Sequence, residues 1–189
     1  VGDGLTGPVF SDALGVRVAT APGVTTRGDT RQLLPAGLYV HIAWEADPDD
    51  PSVFTVSPDD VEILEAYAHA VATYYRAATT TLTTDDPDFD RYYLDGGALV
   101  DNAFAQRLAE GSVLSLGAGV VLRPYIVQDQ TNDDEAVVLD CYLQNEQYIP
   151  LGSSSKLGEL VPEGQVVTLV KSDGEWKVDA AATEGRACA

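Results

Sequence analysis

Methionine is absent from all 189 residues, and only two cysteines, two histidines and eleven Lys or Arg are present. Without an initiating Met, Val1 is expected to follow a cleavage or to continue a longer chain, which leaves room for an export signal or a lipid anchor ahead of it. The eleven cations stand against thirty Asp and Glu, a formal net charge of -19. Such a field repels phosphate backbones and anionic headgroups, so nucleic acid and membrane-surface binding are poor expectations. It suits an extracellular or high-salt medium, with steering of a cationic partner as the alternative. No apolar run approaches the roughly 20 residues that span a bilayer, so no direct membrane insertion is expected.

Chemical signatures are missing too. There is no Gly-x-Ser-x-Gly elbow, no phosphate-binding Gly-Lys-Ser/Thr loop and no His-Glu-x-x-His, and neither His lies near a Cys. The acidic runs Asp47, Asp49, Asp50 and Asp85, Asp86, Asp88, Asp90 lack the Gly and Glu positions of a twelve-residue calcium loop. They read as solvated loops, and no metal or cofactor is expected.

Hydrophobic residues make up 45% of the chain, enough for one good core, and the length suits one domain with an appendage. Residues 1–57 are rich in Gly, Pro, Thr and Asp, with one extended segment, Leu38-Tyr39-Val40-His41-Ile42-Ala43-Trp44. They are expected to form an extended N-terminal arm on a domain spanning 58–189. Ser57-Pro58-Asp59-Asp60 starts a helix: a capping hydroxyl, Pro at the first helical position, and acids at the positive dipole end. Val61, Leu64, Ala68, Val71 and Tyr75 give it an inner stripe, widened by Ile63, Tyr67 and Tyr74, until the Thr79–Thr84 run weakens it. A short helix over Phe89–Leu94 follows, then one from Ala98 to Glu110 with Leu99, Ala103, Phe104 and Leu108 inward.

Beyond Gly119 the period becomes that of strands. Val120–Gln130 and Glu135–Tyr148 form a hairpin pattern around Asn132-Asp133-Asp134. Gln165–Lys171 and Glu175–Ala180 form a second around Asp173-Gly174. Helices first and an antiparallel meander after them predict an α+β fold. Cys141 sits in a strand-like segment and Cys188 close to the end of the chain, with no metal-ligand spacing around either. A disulfide between them is expected, with a pair of inert thiols as the alternative.

The closing Val166-Val167-Thr168-Leu169-Val170-Lys171-Ser172-Asp173-Gly174-Glu175-Trp176-Lys177-Val178 resembles the final hairpin of nuclear transport factor 2-like proteins. Together with Asp140-Cys141 and Gly185-Arg186-Ala187-Cys188 it is similar to exported and lipoprotein members from actinobacteria. The likeness covers about Ser57 to Cys188. It implies a curved sheet wrapped round the first helix as an open-mouthed cone. It also brings in SnoaL-like and ketosteroid isomerase-like enzymes, which use a carboxylate base or an Asp/His pair inside the cone.

Within such a cone the candidate pocket residues are Tyr67, Tyr74, Tyr92 and Asp140, with Tyr75, Tyr93 and His69 beside them. Asp140 and Cys141 face opposite sides of a regular strand, so a cysteine bridged outside leaves the carboxylate inside. In the structural alternative Asp140 pairs with Arg123 or caps a backbone amide. No catalytic set is evident. The leading expectation is therefore an exported, non-catalytic envelope or extracellular protein that binds another protein, pairs as a homodimer, or serves a surface assembly. The alternative is a small-molecule binder or a SnoaL-like isomerase or cyclase using the cone as its pocket.

Overall fold

The computed structural model describes residues 28–43, 58–154 and 158–188, and within them the chain is a mixed α+β fold with a curved, open, largely antiparallel sheet. A hairpin of β1 (Gly28–Leu33) and β2 (Leu38–Ala43) comes first. Helix α1 (Pro58–Ala78), the short α2 (Asp88–Tyr92) and α3 (Ala98–Ala109) follow. The remaining strands are β3 (Ser112–Ser115), β4 (Val120–Leu122), β5 (Pro124–Ile126), β6 (Glu135–Gln144), β7 (Gln147–Pro150), β8 (Val161–Ser172) and β9 (Glu175–Thr183). The main sheet runs β1-β2-β4-β6-β8-β9, with β5 also on β6, while β3 and β7 pair separately. Among the described strands β2 and β4 pair in parallel and the other pairs are antiparallel.

The sheet therefore begins inside the segment expected to be an extended arm: residues 28–43 continue it through β2 and β4. Leu38 and Val40 are fully buried and Ile42 nearly so, which is why they belong to the common core. Residues 1–27 and 44–57, including Trp44 and Ser57, the expected helix cap, lie outside the described residues.

Twenty-one residues make α1 about 30 Å long, enough to cross the whole sheet. Its inner stripe buries Ile63, Leu64, Tyr67, Ala68 and Tyr75 against the strands, while Val61 is 38% exposed. The threonines end it as expected: Thr79 and Thr80 hydroxyls donate to the carbonyls of Tyr75 and Arg76 instead of leaving the backbone alone there. Helix α3 departs from its expected inner face. Only Phe104 is buried, wedged between Tyr74 and Phe89, whereas Ala103 is exposed and Leu99 and Leu108 are 44% and 54% exposed. The helix lies along the edge of the core and inserts one ring.

The strand expected over 120–130 extends only to Ile126. Its halves β4 and β5 keep one register on β6, since Val121 faces Leu143 and Pro124 faces Asp140. The break falls at Arg123, whose backbone N–H donates to Asp140 Oδ1 at 2.7 Å. At the far end Asp173 and Gly174 take φ of 55° and 83°, the mirror-image turn that suits strand twist.

Cys141 and Cys188 are joined in a disulfide, which fastens the terminal turn Gly185–Cys188 to β6. Gly164, opposite Cys141 on β8, makes room for it: a Cβ there would stand 2.1 Å from the Glu184 carbonyl oxygen. Linking residues 47 positions apart is worth at most roughly 4 kcal/mol by loop-closure entropy. Reduction or Cys188→Ser is thus expected to lower the urea unfolding free energy by a few kcal/mol and speed amide exchange across the middle of β8. An unchanged unfolding midpoint after verified reduction would contradict this.

Candidate functional site

A chamber of about 220 Å³ lies between α1 and the concave face of the sheet. Tyr67, Val71, Tyr74 and Tyr75 reach it from α1, because steps of three, four and eight residues keep side chains on one helical face. Tyr142 comes from β6, Gln165 and Val167 from β8, and Val178 and Ala181 from β9. Tyr93, Leu99 and Val100 close one side, and Glu146, in the short link between β6 and β7, supplies the one carboxylate of the wall among the described residues.

Beneath the wall sits a buried polar node. Tyr67 donates its phenol proton to Asp140 Oδ2 at 2.6 Å, and the same phenol oxygen accepts from Gln165 Nε2 at 2.5 Å. Asp140 and Gln165 face each other across β6 and β8, so both point at the helix. Asp140 is fully buried, and its other oxygen accepts the Arg123 backbone N–H. The carboxylate thus both faces inward and caps a neighbouring amide. The Arg123 guanidinium lies by the cysteine instead, with Nε donating to the Cys141 carbonyl at 2.6 Å and a terminal nitrogen 3.2 Å from Sγ.

Burial pushes Asp140 up to about 6, opposed by the Tyr67 hydrogen bond, the Arg123 amide and the Arg123 charge. The Tyr67 phenol is pushed well above its usual range, chiefly by burial and then by the adjacent carboxylate. Glu146 accepts a hydrogen bond from Tyr75 at 3.0 Å. Burial and the nearby Glu163 charge still push it up to about 7. Tyr93 donates to the Ala70 carbonyl at 2.9 Å, and the Tyr74 and Tyr148 hydroxyls stand 3.4 Å apart.

Of the residues singled out from the sequence, Tyr67 and Tyr74 line the chamber and Asp140 lies directly behind Tyr67. Tyr92 does not line it. At the end of α2 it points away from Tyr93 and stacks on His69, ring centroids 5.1 Å apart, in a shallow surface hollow with Arg91 and Trp176. His69, considered as a base, is half exposed there and 4.0 Å from Glu65. Glu146 and Gln165 were not singled out. The first lies inside the segment expected as one strand over Glu135–Tyr148, which the structure breaks between Gln144 and Gln147; the second differs from other strand polar residues only in its register opposite Asp140. Among the described residues no group of three or more His, Cys, Asp or Glu is arranged to hold a metal ion.

No family model and no curated protein matches the chain. Among solved structures, Bdellovibrio bacteriovorus Bd1075 is similar over 80% of this chain at 12% identity, with a TM-score of 0.34, and the match spans 64% of that protein's length.

Both raised carboxyls make stability fall as pH rises. Asp140 and Glu146 hold protons in the fold at pH values where the unfolded chain, with ordinary values of 3.8 and 4.5, has lost them. The stabilisation is complete at low pH and is lost as pH climbs through about 6 and about 7. For Asp140 the difference is on the order of 3 kcal/mol. Asp140→Asn should therefore give a flatter unfolding free energy than the native chain between about pH 4 and pH 7. Parallel profiles for the two proteins would show that Asp140 is ionised in the fold throughout.

Proposed function

We propose that this protein is a non-catalytic small-molecule binder built on a nuclear transport factor 2-like scaffold. The observation that carries the reading is the chamber itself, walled by tyrosine rings and aliphatic side chains with a few placed polar groups, as ligand sites commonly are. A long first helix crossing a curved sheet, followed by the Asp173-Gly174 hairpin, supports the scaffold.

A SnoaL-like reaction fits less well. A base needs an acid or hydrogen-bond donor facing it across the substrate to stabilise the charge that develops. Here the Tyr67, Tyr75 and Tyr93 protons are held by Asp140, Glu146 and a backbone carbonyl. The phenols are committed as structural donors. Export is part of the proposal, supported by a disulfide that is compatible with an oxidising compartment. Among the described residues no helix is long and apolar enough to cross a membrane.

A second reading, binding of a protein partner or a second copy, is favoured by Leu108 and Leu151. Both are more than half exposed, on α3 and just after β7. Native mass spectrometry of protein from its own host separates the two readings. A released organic molecule, lost in Val71→Phe at unchanged melting temperature, is the expected result. A stoichiometric polypeptide with an empty chamber would overturn it in favour of the protein-binding reading.

A further inference from the structure

We propose that the chamber selects a compact organic ammonium ion, a protonated amine carried on an apolar or aromatic body. The inference rests on the small-molecule reading above and specifies its ligand.

Hydrogen-bond direction is the first argument. The Tyr67 phenol gives its proton to Asp140, Tyr75 gives its proton to Glu146, Tyr93 gives its proton to the Ala70 carbonyl, and the Gln165 amide donates to Tyr67. Apart from the second N–H of the Gln165 amide, what these groups have left to offer a guest is oxygen lone pairs. A guest that brings donors is matched, whereas one that brings only acceptors would leave them buried without partners.

Charge is the second. Among the described residues no Lys or Arg lines the chamber, while Glu146 does, and Asp140 lies one hydrogen bond behind Tyr67. The nearest cation built into that node, the Arg123 guanidinium, is turned to the Cys141 carbonyl and sulfur. An anion entering would meet the Glu146 carboxyl with no cation on the described wall to offset it, whereas an ammonium would meet a carboxylate it can pair with. The five tyrosines of the wall add ring faces, whose negative quadrupole attracts cations. The net charge of -19 draws cations toward the whole surface.

Titration gives the behaviour. Among the described residues the titratable groups around Glu146 are Tyr74, Tyr75, Tyr142 and Glu163, and burial together with Glu163 holds its carboxyl up to about 7. A bound ammonium favours the ionised form, so affinity should rise as pH passes upward through about 7 and level off above it. The volume of about 220 Å³ suits a guest smaller than a typical drug-sized ligand.

Benzylamine, benzyl alcohol and benzoate have nearly the same shape and differ in charge, so calorimetric titration of the full chain with each, followed by amide NMR, is the test. At about pH 8 benzylammonium should bind at least about tenfold tighter than benzyl alcohol, with benzoate weakest. Lowering the pH to about 5.5 should remove most of that preference, because the amine stays charged while Glu146 takes up its proton. Glu146→Gln keeps an acceptor for Tyr75; it should melt no lower than the native chain at about pH 8, and lose the amine preference and its pH dependence. Equal binding of amine and alcohol, or tightest binding of benzoate, would overturn the ammonium proposal and leave the chamber as a ligand site. Absence of saturable binding by all three, with unmoved Gln165 and Glu146 amide signals, would overturn the chamber reading as well.

Discussion

A phenol of α1 and a carboxylate of β6 meet at 2.6 Å where neither residue has any exposed surface, and the shape of the chamber follows from that bond. An unpaired carboxylate in such a place is costly, so the helix can take only positions that bring Tyr67 to Asp140. With Tyr67 fixed, Val71, Tyr74 and Tyr75 are carried to the wall by helical spacing. The other oxygen of Asp140 takes the Arg123 amide, which interrupts the strand between β4 and β5 without losing its register on β6. One carboxylate thereby sets the helix against the sheet and holds the irregular strand beside it.

The two faces of β6 divide the work. Asp140 and Tyr142 look toward the helix, while Cys141 looks the other way, where the disulfide, the Arg123 guanidinium and the terminal turn are gathered. Alternation along a strand keeps the cation away from the chamber and the carboxylates toward it. The acceptor-rich, negatively biased interior is thus a consequence of register. Its depth comes from the curvature of the open sheet, to which the bulge at Asp179 of β9, opposite Thr168 and Leu169 of β8, contributes a local bend.

Much of this frame was legible in the residues. The Pro58-Asp59-Asp60 start, the apolar stripe of α1 and the Asp173-Gly174 turn are local signals, and each lies where local chemistry puts it. The opposed faces of Asp140 and Cys141 needed only the period of a strand. What escaped depends on contacts distant in sequence. Whether Tyr92 or Tyr93 turns inward is decided by where α2 ends, and α3 buries Phe104 but not Leu99 because the core edge leaves room for one ring. Glu146 looks like any polar residue of the strand expected over Glu135–Tyr148 until Tyr75, seventy-one positions earlier, is brought to it. The β1–β2 hairpin has ordinary strand residues, yet its parallel seat on β4 has no local signature at all.

The central claim is that Tyr67 and Asp140 act as one unit, and a double-mutant cycle on unfolding free energy tests it most directly. Tyr67→Phe and Asp140→Ala, alone and together, should show a coupling of about 1.5–3 kcal/mol, as for a buried hydrogen bond to a charged group. Effects that add to within about 0.5 kcal/mol would mean the two residues stabilise the fold independently and that some other contact seats the helix.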